Sequence, residues 1–134
     1  MKITADTNVL VRILMNESAP ESPRAIDALR HAEQIVLTLP MLCELVWVLV
    51  RGYKKPRAVI ASAIQSITSG KTTSVDRAAV QAGLAMMDAG GDFADGVIAF
   101  EGRRLGGDVF VTFDKQAAKL IAAQGGRVDL LRSD

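Results

Sequence analysis

Apolar positions along this chain switch repeatedly between short β-rich runs and the three-and-four spacing of amphipathic helices. Lys2 to Ala5 reads as a first strand, and Val9 to Met15 as a short helix. A loop through Asn16, Glu17, Ser18, Ala19 and Pro20 leads to Ser22-Pro23, which opens a second helix as N-cap and first-turn proline. Ile26, Leu29 and Ile35 give it a modest apolar stripe. Ile35 to Leu39 is a compact β-rich run that Pro40 ends, and the next helix, Met41 to about Arg51, is apolar on nearly every side. Such a helix must be buried by the core or by another subunit. Beyond Gly52 and Pro56, the residues Val59, Ile60, Ala63, Ile64 and Ile67 recur at helical spacing up to Gly70. Thr72 to Val75 suits a short strand, and Asp76 caps the Ala-rich helix Arg77 to Ala89. Gly90-Gly91 breaks that helix. Then come a helix over Asp92 to Leu105, a turn at Gly106-Gly107, a strand over Asp108 to Phe113, a helix over Lys115 to Gln124 and a last strand over Val128 to Leu131. Strands alternating with helices predict an α/β fold, with a mostly parallel sheet of about five short strands covered by helices on both faces.

The chain has 134 residues, 49% of them hydrophobic and 23% charged, which is ordinary for a globular protein. No repeat or linker divides it, so residues 1–134 are expected to form a single domain. Aromatic residues make up only 4%. The base-stacking platforms of many single-strand binders are therefore hard to supply, which argues against RRM-like and OB-like modules. Cys43 has no partner for an internal disulfide, and its apolar neighbourhood suits a small buried side chain. The start of the chain shows no signal peptide, and the longest apolar tract, Ile35 to Val50, is interrupted by Thr38, Pro40 and Glu44. A cytoplasmic protein without a membrane association is expected. Net charge of +1 gives no global attraction for nucleic acid, leaving local clusters at Arg51-Gly52-Tyr53-Lys54-Lys55-Pro56-Arg57 and at Arg103-Arg104. Either cluster also suits a solvated helix end.

The candidate chemistry lies in four carboxylates at element ends. Asp6 and Asp114 follow strands, Glu44 falls in the first turn or so of the helix after the second strand, and Asp95 in the first turn of the helix after Gly90-Gly91. In an open parallel sheet, ligands bind beyond the carboxyl ends of the strands, so all four can converge at one edge. Each acid also has a purely structural role available to it. Asp6, Asp92 and Asp114 suit N-caps, and Asp95 suits the positive end of a helix dipole. Glu44 resists that explanation, because it interrupts Met41-Leu42-Cys43-Glu44-Leu45-Val46-Trp47, where a carboxylate is expected to lose solvent and to need pairing, protonation or a metal.

Two like charges about 6 Å apart repel by roughly 3 kcal/mol at an effective dielectric of 20, so four clustered carboxylates store on the order of 10 to 20 kcal/mol. A hard cation or partial protonation must relieve this. An all-oxygen set with no Cys or His selects Mg²⁺ or Mn²⁺ over zinc. Such a site suits phosphodiester hydrolysis, since the metal polarises phosphoryl oxygens and activates a water for in-line attack. His31 is the only histidine, which removes a two-histidine ribonuclease mechanism. Neither a P-loop nor a Gly-x-Gly-x-x-Gly fingerprint is present.

In order and spacing, Asp6-Thr7-Asn8-Val9-Leu10, Glu44 in its apolar helix, Asp92-Phe93-Ala94-Asp95-Gly96-Val97-Ile98-Ala99 and Thr112-Phe113-Asp114 resemble a PIN-domain ribonuclease of the VapC toxin type. The resemblance runs over essentially the whole chain. It implies a three-layer PIN-like sandwich in which Asp6, Glu44, Asp95 and Asp114 hold Mg²⁺ or Mn²⁺. Thr7 and Thr112 would orient water or a ligand carboxylate, Asn8 would assist, and Asp92 would stand behind Asp95, which the Asp-x-x-Ile-Ala pattern selects. Phe100-Glu101-Gly102 departs from the small residues common there, which bears on local helix packing. The resemblance further implies a homodimer whose acidic sites open onto a groove for structured RNA, a VapB-like antitoxin that blocks it, and operator DNA bound mainly through the antitoxin. Arg12, Arg51, Lys54 and Lys55 are candidates to hold RNA phosphates.

Two other readings compete. Asp6 after the first strand suits a haloacid-dehalogenase-like phosphatase, although Asn8 stands where a second Asp is expected. A receiver-like, non-catalytic partner-binding module would use the acids as caps alone.

Overall fold

The structure is a computed structural model that describes residues 1–15 and 22–132. The loop expected at Asn16 to Pro20 lies outside the described residues. The chain folds as two compact units, Met1–Asp76 and Arg77–Asp134.

In the first unit, β1 (Lys2–Thr4), β2 (Gln34–Val36) and β3 (Thr73–Ser74) form a parallel sheet in the order β1-β2-β3. Ile3 stands opposite Ile35, and Ile35 opposite Thr73. The ladder continues past the strand ends, where Ala5 N–H donates to the Val36 carbonyl and Leu37 N–H to the Ser74 carbonyl. The backbone thus stays paired up to the residue before Asp6.

The helices of this unit are α1 (Thr7–Met15), α2 (Ser22–Arg30), α3 (Leu39–Trp47) and α4 (Arg57–Thr68). Ser22, expected to cap α2, is instead its buried first residue, and its hydroxyl donates to the Arg12 carbonyl at 3.4 Å. Pro23 occupies the first turn, where its missing N–H costs nothing. A similar logic starts α3 two residues earlier than Met41. Thr38 accepts from Met41 N–H at 3.4 Å, and Pro40 fills the first turn.

Past Trp47 the helix widens into a π-helical segment, Val48–Gly52, closed by Tyr53 N–H donating to the Val48 carbonyl at 3.2 Å. Leu10, Leu42, Leu45, Leu49, Ile60 and Ile64 are almost fully buried and form the core of this unit. Each contributes about 1.5–3 kcal/mol of transfer free energy.

The second unit holds α5 (Arg77–Asp88), α6 (Phe93–Arg104), β4 (Phe110–Thr112), α7 (Lys115–Ala123) and β5 (Val128–Leu130). β4 and β5 pair in parallel, with Phe110 opposite Val128 and Thr112 opposite Leu130. The expected α/β class, the parallel pairing and the five short strands are all present among the described residues, with the strands divided between a three-stranded and a two-stranded sheet.

Close packing of α5 on α6 requires small residues. A Cβ on Gly96 would stand 2.4 Å from the Ala82 carbonyl oxygen, and one on Gly83 2.6 Å from the Phe93 ring. Phe93, Val97, Val80 and Met86 fill the space so created. The unusual Phe100-Glu101-Gly102 stretch disturbs none of this. Glu101 pairs with Arg104, whose guanidinium lies 5.3 Å from the Phe100 ring centroid, at the half-exposed end of α6. Among the described residues no helix is long and apolar enough to cross a membrane.

Candidate functional site

In the first unit, Asp6 sits at the junction of β1 and α1, where its Oδ1 accepts from Val9 N–H at 3.1 Å. It is an N-cap, as its sequence position allows. Glu44 is the sixth residue of α3 and caps nothing. Thr7 Oγ1, 37 residues away in sequence, donates to Glu44 Oε1. Asp6, Thr7, Thr38 and Glu44 wall one open pocket of about 450 Å³ together with Thr4 and Pro40. Carboxylates and hydroxyls therefore stand, among apolar neighbours such as Pro40 and Met41, in an open depression beyond the carboxyl end of β1.

One expectation is overturned here. Glu44 does not lose solvent in its apolar run; it is exposed. The buried face of α3 consists of Met41, Leu42, Leu45 and Val46, continued by Leu49, whereas Pro40, Glu44 and Trp47 lie on the opposite side. An apolar residue on the solvent side hid the 3.6-residue period from the sequence pattern. Trp47 is 61% exposed. Nothing about the helix interior forces Glu44 to bind a cation; its side chain is simply placed where it can.

In the second unit three carboxylates come within electrostatic range. Asp92 is the N-cap of α6, accepting from Ala94 N–H at 3.3 Å, and Asp95 occupies the first turn of the same helix. Asp114 caps α7 by accepting from Ala117 N–H at 3.0 Å, and its own N–H donates to Thr112 Oγ1 at 2.9 Å. Thr112 thus fixes the backbone that presents Asp114. Burial raises the Asp95 pKa, and the charges of Asp92 and Asp114 push it further in the same direction. These acids repel one another without closing into a tight cluster. Among the described residues, no three His, Cys, Asp or Glu side chains stand close enough to hold a metal ion.

The remaining candidates separate clearly. Asn8 is exposed in the first turn of α1, beside Asp6 and Thr7 in sequence. Arg12 is half-buried, while Arg51, Lys54 and Lys55 are exposed. His31 Nδ1 lies 2.9 Å from the Asp27 carbonyl, at an exposed position just past the end of α2. Cys43 carries a half-buried thiol rather than a fully buried one. Sequence reasoning missed Thr38 as a wall of the Asp6 pocket. Its signal was a Thr two residues before Pro40, the pattern of an N-cap with a first-turn proline. A second cavity, of about 280 Å³, lies among Ile98, Arg103, Val109, Ile121 and Arg127 and contains none of the predicted site residues.

All these donors are carboxylate or hydroxyl oxygens, and the charge repulsion at Asp95 is the kind that a cation relieves. The donor chemistry therefore fits a hard divalent ion. The family model described as PIN domain matches residues 3–122. Comparison with curated proteins finds no match.

Proposed function

This chain belongs to the PIN domain family, and from that premise we propose that it is a Mg²⁺- or Mn²⁺-dependent endoribonuclease, the VapC-type toxin of a toxin–antitoxin pair. PIN domains are typically nucleases and generally use divalent metal ions. The finer reading is carried by one observation. Glu44 has no structural duty in α3, yet it faces the pocket of Asp6 and receives the Thr7 hydroxyl. A cap explains Asp6, and the placement of Glu44 beside it in one pocket is what supports a ligand-directed role for the pair.

In this reading, as the family resemblance implies, Asp6, Glu44, Asp95 and Asp114 would be the oxygen donors for the cation, which would supply electrophilic polarisation of the scissile phosphate. Thr7 holds the Glu44 carboxylate in one orientation. Thr112 holds the turn that presents Asp114. Burial and the charges of Asp92 and Asp114 disfavour the Asp95 anion, which a cation nearby would relieve. Arg51, Lys54 and Lys55 supply phosphate contacts, with Arg12 and Asn8 in supporting positions. The substrate is structured RNA in the cytoplasm, and regulation falls to a VapB-like antitoxin. The active toxin is a homodimer, and operator DNA is bound through the antitoxin.

Cleavage of RNA by the purified protein tests this. Activity is expected with Mg²⁺ or Mn²⁺, to vanish with EDTA and to fall at least about 100-fold in Asp6→Asn and Asp95→Asn, since several kcal/mol of charge stabilisation are removed. Activity that persists in EDTA or in both variants contradicts the reading. A cap-only role for the acids has specific support in the bonds that Asp6, Asp92 and Asp114 make to helix N–H groups. It predicts thermal unfolding indifferent to millimolar Mg²⁺ or Mn²⁺ in wild type and in Glu44→Gln alike.

A further inference from the structure

Trp47 is the only tryptophan and Tyr53 the only tyrosine in the chain, and both lie within or beside one basic stretch containing Arg51, Lys54, Lys55 and Arg57. A tryptophan side chain carries a large apolar area, so leaving one mostly in solvent needs a reason. Trp47 is 61% exposed and Tyr53 38%. The four cations are exposed as well.

Helical spacing ties this surface to the acid pocket. Pro40, Glu44, Trp47 and Arg51 follow one another at intervals of four, three and four residues, and all four are exposed, so they form one stripe along α3 and its π-helical continuation. The stripe begins at the pocket wall, where Pro40 and Glu44 stand beside Asp6 and Thr7. It ends in the cationic segment. The backbone there is irregular in two ways: the π-helical turn keeps Leu49 buried while Val50 and Arg51 remain exposed, and Lys54 adopts a left-handed φ of 52°. Such departures recur at functional sites.

We propose that Trp47 is a base-stacking platform for unpaired nucleotides of an RNA whose phosphates run along Arg51, Lys54 and Lys55 toward the Asp6–Glu44 pocket. The inference rests on the ribonuclease reading and assigns to Trp47 the contact with unpaired bases. An aromatic face stacks on any base, while flanking cations take the backbone charge, which is the common logic of single-strand binding. Paired RNA cannot use the platform, because its bases are already stacked on each other. Low overall aromatic content therefore does not exclude single-strand binding in this chain. One exposed tryptophan, placed a helical turn from Glu44, is sufficient.

The sole tryptophan also reports on its own contacts. Emission of the full-length protein is followed in EDTA, where no cleavage is expected, while a single-stranded oligouridylate or a duplex of equal length is added; binding of the labelled oligonucleotide is measured in parallel by anisotropy. Saturable quenching by the single strand is expected, with a midpoint matching the anisotropy curve, and much weaker quenching by the duplex. Trp47→Ala is expected to weaken single-strand binding about tenfold, with Trp47→Phe recovering most of it. Oligonucleotide that binds equally well to wild type and Trp47→Ala, with unchanged wild-type emission, overturns the platform while leaving the ribonuclease reading standing. Absence of RNA binding by both proteins also overturns the platform, while the ribonuclease reading stands or falls on the cleavage assay with Mg²⁺ or Mn²⁺. Emission that responds only to protein concentration, with Trp47→Ala turning a dimer into a monomer, assigns this face to a second copy of the chain and overturns the proposal.

Discussion

Acidic residues in the two units are held by different physics. In the first, Asp6 and Glu44 are exposed, and hydrogen bonds from Val9 N–H and the Thr7 hydroxyl fix them. In the second, Asp95 is half-buried near two other carboxylates, and desolvation and repulsion make its charge costly. Hydrogen-bond donors orient a carboxylate without penalising its charge, whereas burial beside like charges leaves it wanting a proton or a cation. The first pair is oriented in advance; in the second unit Asp92 and Asp114 are held by helix N–H groups in the same way, and Asp95 is the acid left electrostatically unsatisfied. Removing a donor should therefore matter most in one unit, and changing pH should matter most in the other.

The largest expected effect is on catalysis. Glu44→Gln keeps the shape of the side chain and its exposed position but removes the charge, and is expected to lower RNA cleavage at least about 100-fold with folding stability unchanged. Thr7→Val tests orientation alone. It should lower cleavage about tenfold, the usual scale for losing a group that positions a metal ligand. Equal losses in the two variants would erase the proposed distinction between a ligand and the residue that orients it.

Packing gives the next effect. Gly96→Ala places a methyl group 2.4 Å from the Ala82 carbonyl oxygen and 2.8 Å from Met86 Cβ, so α6 must shift away from α5. Overpacking of this kind costs about 1–3 kcal/mol, measurable by chemical denaturation. Asp95 neighbours Gly96, and the same variant should alter the pH response described next.

The smallest effect is the titration of Asp95. Its folded pKa is raised, so the folded protein binds more protons than the unfolded chain across that interval. Stability contributed by this group is fully present below its unfolded value and is lost as pH rises through the raised folded value. Unfolding measured from the ordinary aspartate range up to neutrality, in EDTA, should show this decline in wild type relative to Asp95→Asn. Asp92→Asn retains a capping oxygen while removing one of the two charges, and should bring the wild-type decline closer to that of the variant. A difference between wild type and Asp95→Asn that does not change with pH would show that Asp95 is under no such strain.

Much of this arrangement was legible in the sequence. Strand ends at Asp6 and Asp114, the cap at Asp92 and the breaks at Gly90 and Gly106 are local signals, set by residues within a few positions of one another. Glu44 was legible as a candidate but for the wrong reason. Its apolar neighbours suggested burial on all sides, whereas Met41, Leu42, Leu45 and Val46 face the core and Trp47 faces solvent. Composition cannot separate those two faces when both carry apolar residues. The Thr7–Glu44 bond and the division of five strands into sheets of three and two depend on pairings distant in sequence, which no local pattern encodes.

Whether these acids form a cation site or only cap helices is decided most directly at Glu44, which caps no helix and lines the Asp6 pocket. Mn²⁺ binding to the wild-type protein and to Glu44→Gln can be compared by isothermal titration calorimetry at neutral pH. A cation site predicts saturable Mn²⁺ binding by wild type that weakens at least about tenfold in Glu44→Gln. Identical isotherms for the two proteins, or no Mn²⁺ binding by wild type, would contradict it.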